Sequence, residues 1–498
     1  MRIFNFTAPA LAGAVLFIAY NSSFAQVTYS KSSDYQQGIQ WGWSIILNPD
    51  SSFNVNASGT DMLDRQGLFF DIYNNDGNLV SRKIYFIDSI DFYAGLSSSM
   101  KRIDENQFSL FGTRIKYNPI NYDVLAAKFN QSGDTLFFNR IETGSLDGAY
   151  NHTGLSDGGF AITGFTSPDS LTSTNLLLMK VDSNGNYLWH KSYGSEKSDA
   201  GYSIYEISGR RLVLAGIKRY TLTNFAPWII VIDSIGGIIK EKEWASGALY
   251  CGGTSLSLSL DGQYFIEGCL DSVINSGEYS NPGFVAKLDT SFNILWKAVY
   301  NDVDKKSFYV IKQLADSTIV GVGFQGDTTS FFTKGWIAKI DNSGNKLWEH
   351  TYKYGNSTFN YFSDFQQTAD KGFIITGSTI GPTSQDVWLV KLDSLGCLNP
   401  NECFAGDLTI EVTEGVDFRI TPNPASSEMN VVYNLPQKNA TAEWVIADLA
   451  GNVVFRKPVD TGCNAELVEV AQWQQGVYVC SLLMIGQVMR SKKFVVMH

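Results

Sequence analysis

Residues 203–243 alternate apolar runs with turn formers. SIYEI (203–207) precedes Ser208-Gly209, and LVLAG (212–216) precedes a variable loop. WIIVI (228–232) leads into Asp233 to Gly236, and IIKEKE (238–243) ends the stretch. Short apolar runs bounded by Gly, Ser and Asp read as strands. The two middle runs are almost wholly apolar, the pattern of strands covered on both faces. The stretch therefore predicts four consecutive antiparallel strands.

The same pattern returns along the chain. The Asx that opens the last turn recurs at Asn74, Asn130, Asp182, Asp233, Asp289, Asp341 and Asp393, at spacings of 56, 52, 51, 56, 52 and 52. The glycine ending the second strand keeps the same beat at Gly59, Gly112, Gly164, Gly216, Gly268, Gly323 and Gly377. Four short strands per unit of about 50 residues is the signature of a β-propeller blade. The expected fold is all-β, with a seven-bladed β-propeller over 26–396. The seventh marker has no outer strand after it. Residues 26–33, whose VTYSKSS resembles LWHKSYGS (188–195), are expected to supply one and join the first repeat to the last.

Five residues before each marker stand Phe69, Leu125, Leu177, Trp228, Phe284, Trp336 and Trp388. Trp189, Trp296 and Trp348 follow the turn, with Trp244 in the equivalent strand. Such a stripe could stack on carbohydrate, but its recurrence in every unit reads as packing between sheets. Lys128, Lys180, Lys287, Lys339 and Lys391 lie two before the marker and are expected to pair weakly with it at the surface. The turn itself, as in AKIDNSGNKLW (338–348), superficially suggests a calcium loop. It lacks the spacing of an EF-hand, and its glycine falls where a hairpin wants positive φ. It also misses the sialidase Asp-box by one residue. The units resemble bacterial β-propeller repeats of the form D-G-G-x-φ-φ-x-G … φ-φ-K-φ-D-x-x-G-x-x-x-W, φ being apolar. The likeness covers 35–396 and is weakest in the first unit. It implies a scaffold, not an activity.

Past Asp393 the beat stops, and 397–418 reads as a linker. The last eighty residues hold six or seven short apolar runs, which predict a small Ig-like β-sandwich over 419–498. Pro422, Asn423 and Pro424 lie near its start. Asp448 and Gly451 fall on its central hairpin, Gly476 and Tyr478 follow, and Lys493 sits in the closing KKFVV. In that order these motifs resemble the type IX secretion system C-terminal sorting domain of Bacteroidota. Trp473 stands where that family usually has leucine. The resemblance implies docking on the type IX secretion machinery and a secreted or outer-membrane cell-surface destination. It also implies removal of the domain, with release or attachment to lipopolysaccharide.

The N-terminus fits that route. Arg2, an apolar run over 8–19 and Ser23-Phe24-Ala25 read as a signal peptide over 1–25. The run is too short to span a membrane, and no transmembrane segment is expected. Net charge is −11, and 26–418 alone carries 30 basic and 43 acidic residues, which argues against a nucleic-acid partner. In an exported chain the six cysteines are expected to pair locally, as Cys251 with Cys269, Cys397 with Cys403 and Cys463 with Cys480, although 15 pairings exist. Their spacing lacks the doublets of a zinc site.

No catalytic, cofactor-binding or metal-ligating residue is assigned. His152, His190, His350 and His498 form no HExxH pair, and GxxxxGK[ST] is absent. Carboxylates from different blades could act together without leaving a linear motif. Asp157, Asp261 and Asp370 are the candidates, but they recur at hairpins as turn residues do. Two readings stay open: a non-enzymatic surface protein binding a glycan, protein or matrix component, and a secreted hydrolase with carboxylates in the propeller channel. Binding specificity is expected in the loops 166–175, 218–227, 271–282 and 326–334, where the units differ.

Overall fold

The structure is a computed structural model and describes residues 27–61, 63–168, 173–195, 197–220, 225–244, 255–269, 272–273, 279–280, 282–300, 305–326, 332–381, 384–398, 417–434, 442–448, 452–459, 465–484 and 487–498. The expected signal peptide, Cys251, Cys403, Gly451 and Cys463 lie outside them, as does much of the four variable loops. The chain divides into two compact units, 1–403 and 404–498. Among the described residues there is no helix long and apolar enough to cross a membrane.

The first unit is a succession of antiparallel sheets, each built from consecutive strands. Sheet I holds Gln40–Leu47, Phe53–Thr60, Gln66–Tyr73 and Leu79–Tyr85. Sheet II holds Gln107–Tyr117, Ile120–Asn130 and Thr135–Ile141, and its innermost strand is split into Ile90–Tyr93 and Met100–Asp104. Sheet III runs through Leu146–Gly154, Phe160–Ser167, Asn175–Val181 and Tyr187–Tyr193, and sheet IV through Ala200–Ile207, Arg211–Arg219, Phe225–Ile232 and Ile238–Glu243. Sheet V comprises Ser255–Leu258, Tyr264–Cys269, Gly283–Leu288 and Ile294–Tyr300; sheet VI comprises Lys305–Gln313, Ile319–Gly326, Thr333–Ile340 and Lys346–Tyr352. In sheet VII, Asn360–Gln367, Phe373–Ile380 and Gln385–Leu392 are joined by Tyr29–Ser33, which pairs with Gln385–Leu392 in the register Tyr29 to Lys391 through Ser33 to Val387. The outer strand of the last sheet thus comes from the start of the described chain.

Packing joins these sheets into a ring. The first unit has a hydrophobic cluster at each junction between consecutive sheets, and one more where sheet VII meets sheet I. Each cluster contains one of the residues five before the marker. Trp336 lies between sheets V and VI, Trp388 between VI and VII, and Phe69 between VII and I. The recurring bulky side chain is therefore the interface between sheets, and the first unit is a β-propeller.

The turns fasten the rim. Asp341 Oδ1 accepts from the backbone N–H of Ser343 (2.8 Å) and Asn345 (2.9 Å), while Asn345 Nδ2 donates to Oδ2 at 2.8 Å. Those donors hold the Asp341 carboxyl below the usual carboxylate range, Asn345 foremost. With both oxygens occupied by N–H groups, it serves as a turn acceptor. Gly344 takes φ +88°, and a Cβ there would lie 2.7 Å from the Trp296 ring of the preceding sheet. Trp296 Nε1 in turn donates to the Asn342 carbonyl at 2.9 Å. Gly77 stands in the same way against Tyr29, across the junction that closes the ring.

One expectation needs correction. The repeated lysines do not pair with the marker Asx. Lys180, Lys287 and Lys391 reach Asp157, Asp261 and Asp370 at 2.6, 2.7 and 3.0 Å, and Lys339 reaches Asp316 at 3.4 Å. At Asp182, Asp289 and Asp341 both marker oxygens are engaged by the turn itself, and the ammonium crosses to the preceding hairpin. Lys287 and Lys391 are buried in doing so.

The second unit contains a three-stranded sheet, Asp417–Thr421, Glu428–Asn434 and Ala465–Glu469, and a four-stranded one in the order Val453–Pro458, Ala442–Asp448, Gly476–Met484, Gln487–Val496. Phe418, Met429 and Val431 of the first share one core with Trp444, Ile446, Leu482 and Phe494 of the second.

Candidate functional site

The innermost strands of all the propeller sheets converge on a cavity of about 640 Å³. That volume falls in the range of small-molecule sites. Rings dominate one part of its wall: Trp43, Tyr202, Tyr205, Tyr309, Phe359 and Tyr361. Ser97, Ser98, Ser255 and Ser257 add hydroxyls, and Lys101, Lys312 and Glu267 add ionisable groups.

The split strand of sheet II shapes this wall. Between its halves, the Leu96 N–H donates to the Tyr150 carbonyl of sheet III at 2.8 Å and the Ser98 N–H to the Trp43 carbonyl of sheet I at 3.1 Å. The insertion is thereby fastened to both neighbours, and it delivers Ser97, Ser98 and then Lys101 to the cavity.

Two of the three ionisable groups have settled partners. Lys312 Nζ lies 2.7 Å from Asp364 Oδ1. The same carboxylate accepts from the Phe365 N–H at 2.8 Å and, through Oδ2, from the Ile45 N–H at 3.1 Å. This ion pair locks the junction of sheets VI, VII and I. Glu267 is fully buried, and burial pushes its carboxyl up to about 8, against the hydrogen bonds of Ser257 and its surroundings. Ser257 Oγ lies 3.2 Å from Glu267 Oε1 and donates to the Ile311 carbonyl at 3.0 Å. That hydroxyl has one proton, which it can donate to the Glu267 carboxyl or to the Ile311 carbonyl. Glu267 Oε2 has no partner.

Lys101 is the exception. It makes no hydrogen bond or ion pair with any described residue and faces the cavity solvent, while the protein around it, chiefly through desolvation, brings its ammonium down to about 8. Asp364 opposes that shift, and Lys312 adds to it. Behind it His152 Nε2 meets Ser109 Oγ at 2.7 Å, its ring against Phe111. Burial, then the charge of Lys101, keeps His152 neutral well below its ordinary range.

The residues singled out from the sequence lie elsewhere. Asp157, Asp261 and Asp370 are the hairpin partners of lysines described above and do not line the cavity. His190 contacts the Tyr187 hydroxyl at 3.0 Å, His350 the Leu395 carbonyl at 3.2 Å, and His498 the Trp473 carbonyl at 3.0 Å. The cavity groups were missed, although one signal was readable. The position before the second-strand glycine carries Ser58, Phe111, Thr163, Ala215, Val322 and Thr376 in six units and Glu267 in the other.

In the second unit, Asn423 Oδ1 accepts from the Val495 N–H at 2.8 Å, tying the Pro422–Pro424 segment to the last strand. Asp448 accepts from the Asn452 N–H (2.8 Å) and Nδ2 (2.9 Å), a copy of the propeller turn. Tyr478 donates to the Gln474 carbonyl at 2.8 Å and packs against Trp473 and Phe494. Trp473 thus fills the place expected of leucine within the same core. Lys493 lies on the closing strand, and Gly476 begins the strand before it. The expected Cys463–Cys480 pair is not formed: Cys480 is a buried free thiol, pushed up to about 12 by desolvation. It is an apolar core residue facing Ile446 across the sheet. Cys397 is disulfide-bonded, and its expected partner Cys403 lies outside the described residues. Cys269 has only its backbone described.

Residues 419–497 match the family model described as secretion system C-terminal sorting domain. No curated protein matches the chain. Among solved structures, the β-propeller domain of the trilobed protease from Pyrococcus furiosus is similar at 11% identity and a TM-score of 0.39, over 75% of this chain and 97% of that one. A polysaccharide lyase is similar at 10% identity and 0.43, over 76% and 94%. Puromycin hydrolase is similar at 10% and 0.44, over 79% of this chain and 58% of its own. Likeness at this level decides nothing about activity. The sorting domain makes the chain a β-propeller protein exported through the type IX secretion machinery to the cell surface or the surrounding medium.

Proposed function

We propose that the exported propeller is a non-enzymatic binding protein whose ligand occupies the central cavity. The carrying observation is the wall itself, in which aromatic faces and hydroxyls surround a single carboxyl, Glu267. A glycosidase of the ordinary kind needs two carboxyls flanking one bond. Rings and hydroxyls suit a ligand with apolar faces and many hydroxyls of its own, such as a saccharide. The same reading includes seven blades, one for each four-stranded unit, with the strand Tyr29–Ser33 closing the last. It also includes an Ig-like sorting sandwich, a signal peptide over 1–25, local disulfides Cys251–Cys269 and Cys397–Cys403, and attachment to surface lipopolysaccharide after sorting.

The test is calorimetric titration of the exported protein with a panel of oligosaccharides, with mass spectrometry of the mixture afterwards. Saturable binding without cleavage, abolished when Ser255→Trp fills the cavity, is the expected outcome. Cleavage products that vanish in Glu267→Gln would replace this reading with the hydrolase. Binding that survives Ser255→Trp would move the ligand to the loops.

A further inference from the structure

We infer that the cavity selects an acidic saccharide, its carboxylate paired with Lys101 and its ring faces laid on the cavity tyrosines. This rests on the cavity being the binding site, as proposed above, and adds the charge and class of the ligand.

The first argument is a count of charges along the wall. Lys312 is neutralised by Asp364 at 2.7 Å, and Asp364 also accepts from two backbone N–H groups. Burial favours the uncharged form of Glu267. Among the described residues Lys101 makes no hydrogen bond or ion pair, and Asp364, the opposite charge that acts on it, is already paired with Lys312, so the cavity keeps one positive charge in excess. A cation in a low-dielectric wall without a counter-ion is unfavourable. A carboxylate delivered by a ligand would supply the missing partner.

Donors give the second argument. Lys101, the serine hydroxyls and the tyrosine hydroxyls can all donate into the cavity. Burial raises Tyr202, Tyr205 and Tyr361 above the ordinary phenol range and Tyr309 to about 12, so all four keep their protons. Burial favours the neutral Glu267 carboxyl, which adds a further donor. A ligand rich in acceptors and bearing one negative charge matches this surface. Free inorganic anions would satisfy Lys101 but leave the rings of Trp43, Tyr309 and Tyr361 unused.

A pH response distinguishes this site from a merely polar pore. The charged and titratable groups facing the two key residues are Asp364, Lys312 and His152 around Lys101, and Tyr205 around Glu267, with Ser257 and Ser255 beside it. Below about 8 Lys101 is charged and Glu267 neutral; above it Lys101 is neutral and Glu267 charged. The wall passes from net positive to net negative, and affinity for an anion should fall on the alkaline side.

The experiment is calorimetric titration with trigalacturonate and with its fully methyl-esterified form, which keeps the rings and loses the charge. The acid is expected to bind at least about tenfold more tightly, the scale of one charge-assisted hydrogen bond. Lys101→Met should remove that difference and leave the ester unchanged. Should Lys101→Met melt early, wild-type protein decides, because affinity for the acid must drop about tenfold between pH 7 and pH 9 while affinity for the ester holds. Equal binding of acid and ester, both lost in Ser255→Trp, overturns the acidic ligand and leaves the cavity as the site. Binding of the acid that persists in Ser255→Trp overturns both. Binding of neither probe overturns the inference alone, since a neutral saccharide from the wider panel can still occupy the cavity.

Discussion

The rim and the cavity of the propeller use the same strands in opposite ways. At the rim, Asp182, Asp233, Asp289 and Asp341 are each held below the usual carboxylate range by the donors of their own turn. In the cavity, Glu267 is pushed above it by burial. At the rim each lysine of the four ion pairs has an aspartate; in the cavity Lys101 makes no ion pair with any described residue. A side chain needed by every unit is copied, and its chemistry is spent on holding neighbours together. A side chain that occurs once can hold a junction, as Lys312 and Asp364 do, or be left over for the cavity, and there the unusual acidity of Glu267 and the excess charge of Lys101 appear.

The largest expected effect breaks the rim at its one non-sequential joint. Removing 27–33 uncovers the edge of Gln385–Leu392 and takes Ser30 Oγ away from Trp388 Nε1, which donates to it at 2.8 Å. Thermal unfolding should fall by about 10 °C, the size of several kcal/mol in a chain this long; an unchanged melt would mean that the packing of sheet I on sheet VII closes the ring by itself.

Next comes Trp388→Ala, which opens a cavity at the junction of sheets VI and VII and should cost about 3–5 kcal/mol in denaturant unfolding. A rim position of smaller effect is Gly344→Ala. Positive φ and the Trp296 ring at 2.7 Å oppose the new Cβ, for a loss of about 1–3 kcal/mol. Channel variants should contrast with these. Lys101→Met is expected to shift stability by less than about 1 kcal/mol while changing binding; a loss as great as that of Gly344→Ala would mean that the ammonium is structural.

The smallest effect has the clearest sign. The folded-state acidity of Glu267 lies above its unfolded value, so its neutral form stabilises the fold fully below the ordinary glutamate range. That contribution is lost as pH rises toward about 8. Glu267→Gln should flatten the fall in melting temperature between about pH 5 and pH 8. The rim aspartates act in the other direction, losing their contribution as pH falls through the acid range. A Gln variant whose profile matches wild type would show that Glu267 is charged in the native state.

How much was legible follows from the same contrast. The markers at Asp182 or Asp341 declared the turn because each turn needs the same acceptor, and Phe69 to Trp388 declared the interfaces because each interface needs the same bulk. The strand after the expected signal peptide was legible from its likeness to the outer strand at 188–195. Lys101 was not, because it follows an insertion that splits the inner strand of sheet II and belongs to no repeated position. Glu267 could have been noticed as the one acid beside six uncharged equivalents, but of its neighbours only Ser257 shares its sheet, and Ile311 comes from the next one. The repeated lysines were misassigned because shared strand face was allowed to stand for contact, when Asp182 and its kin had no oxygen to spare. Cys480 was misread because spacing in a secreted chain says nothing about whether a thiol faces the core.

The closing strand also sets an order of events during synthesis. Tyr29–Ser33 is among the first described segments to emerge, yet the strand it joins ends at Leu392. Through most of synthesis it therefore has no place to pair. Until the two meet, Gln385–Leu392 presents an open row of backbone donors and acceptors, the kind of edge on which a second chain can add. The last sheet is thus the natural point for two copies to exchange first strands, and the ring is shielded from that exchange only when a chain captures its own beginning.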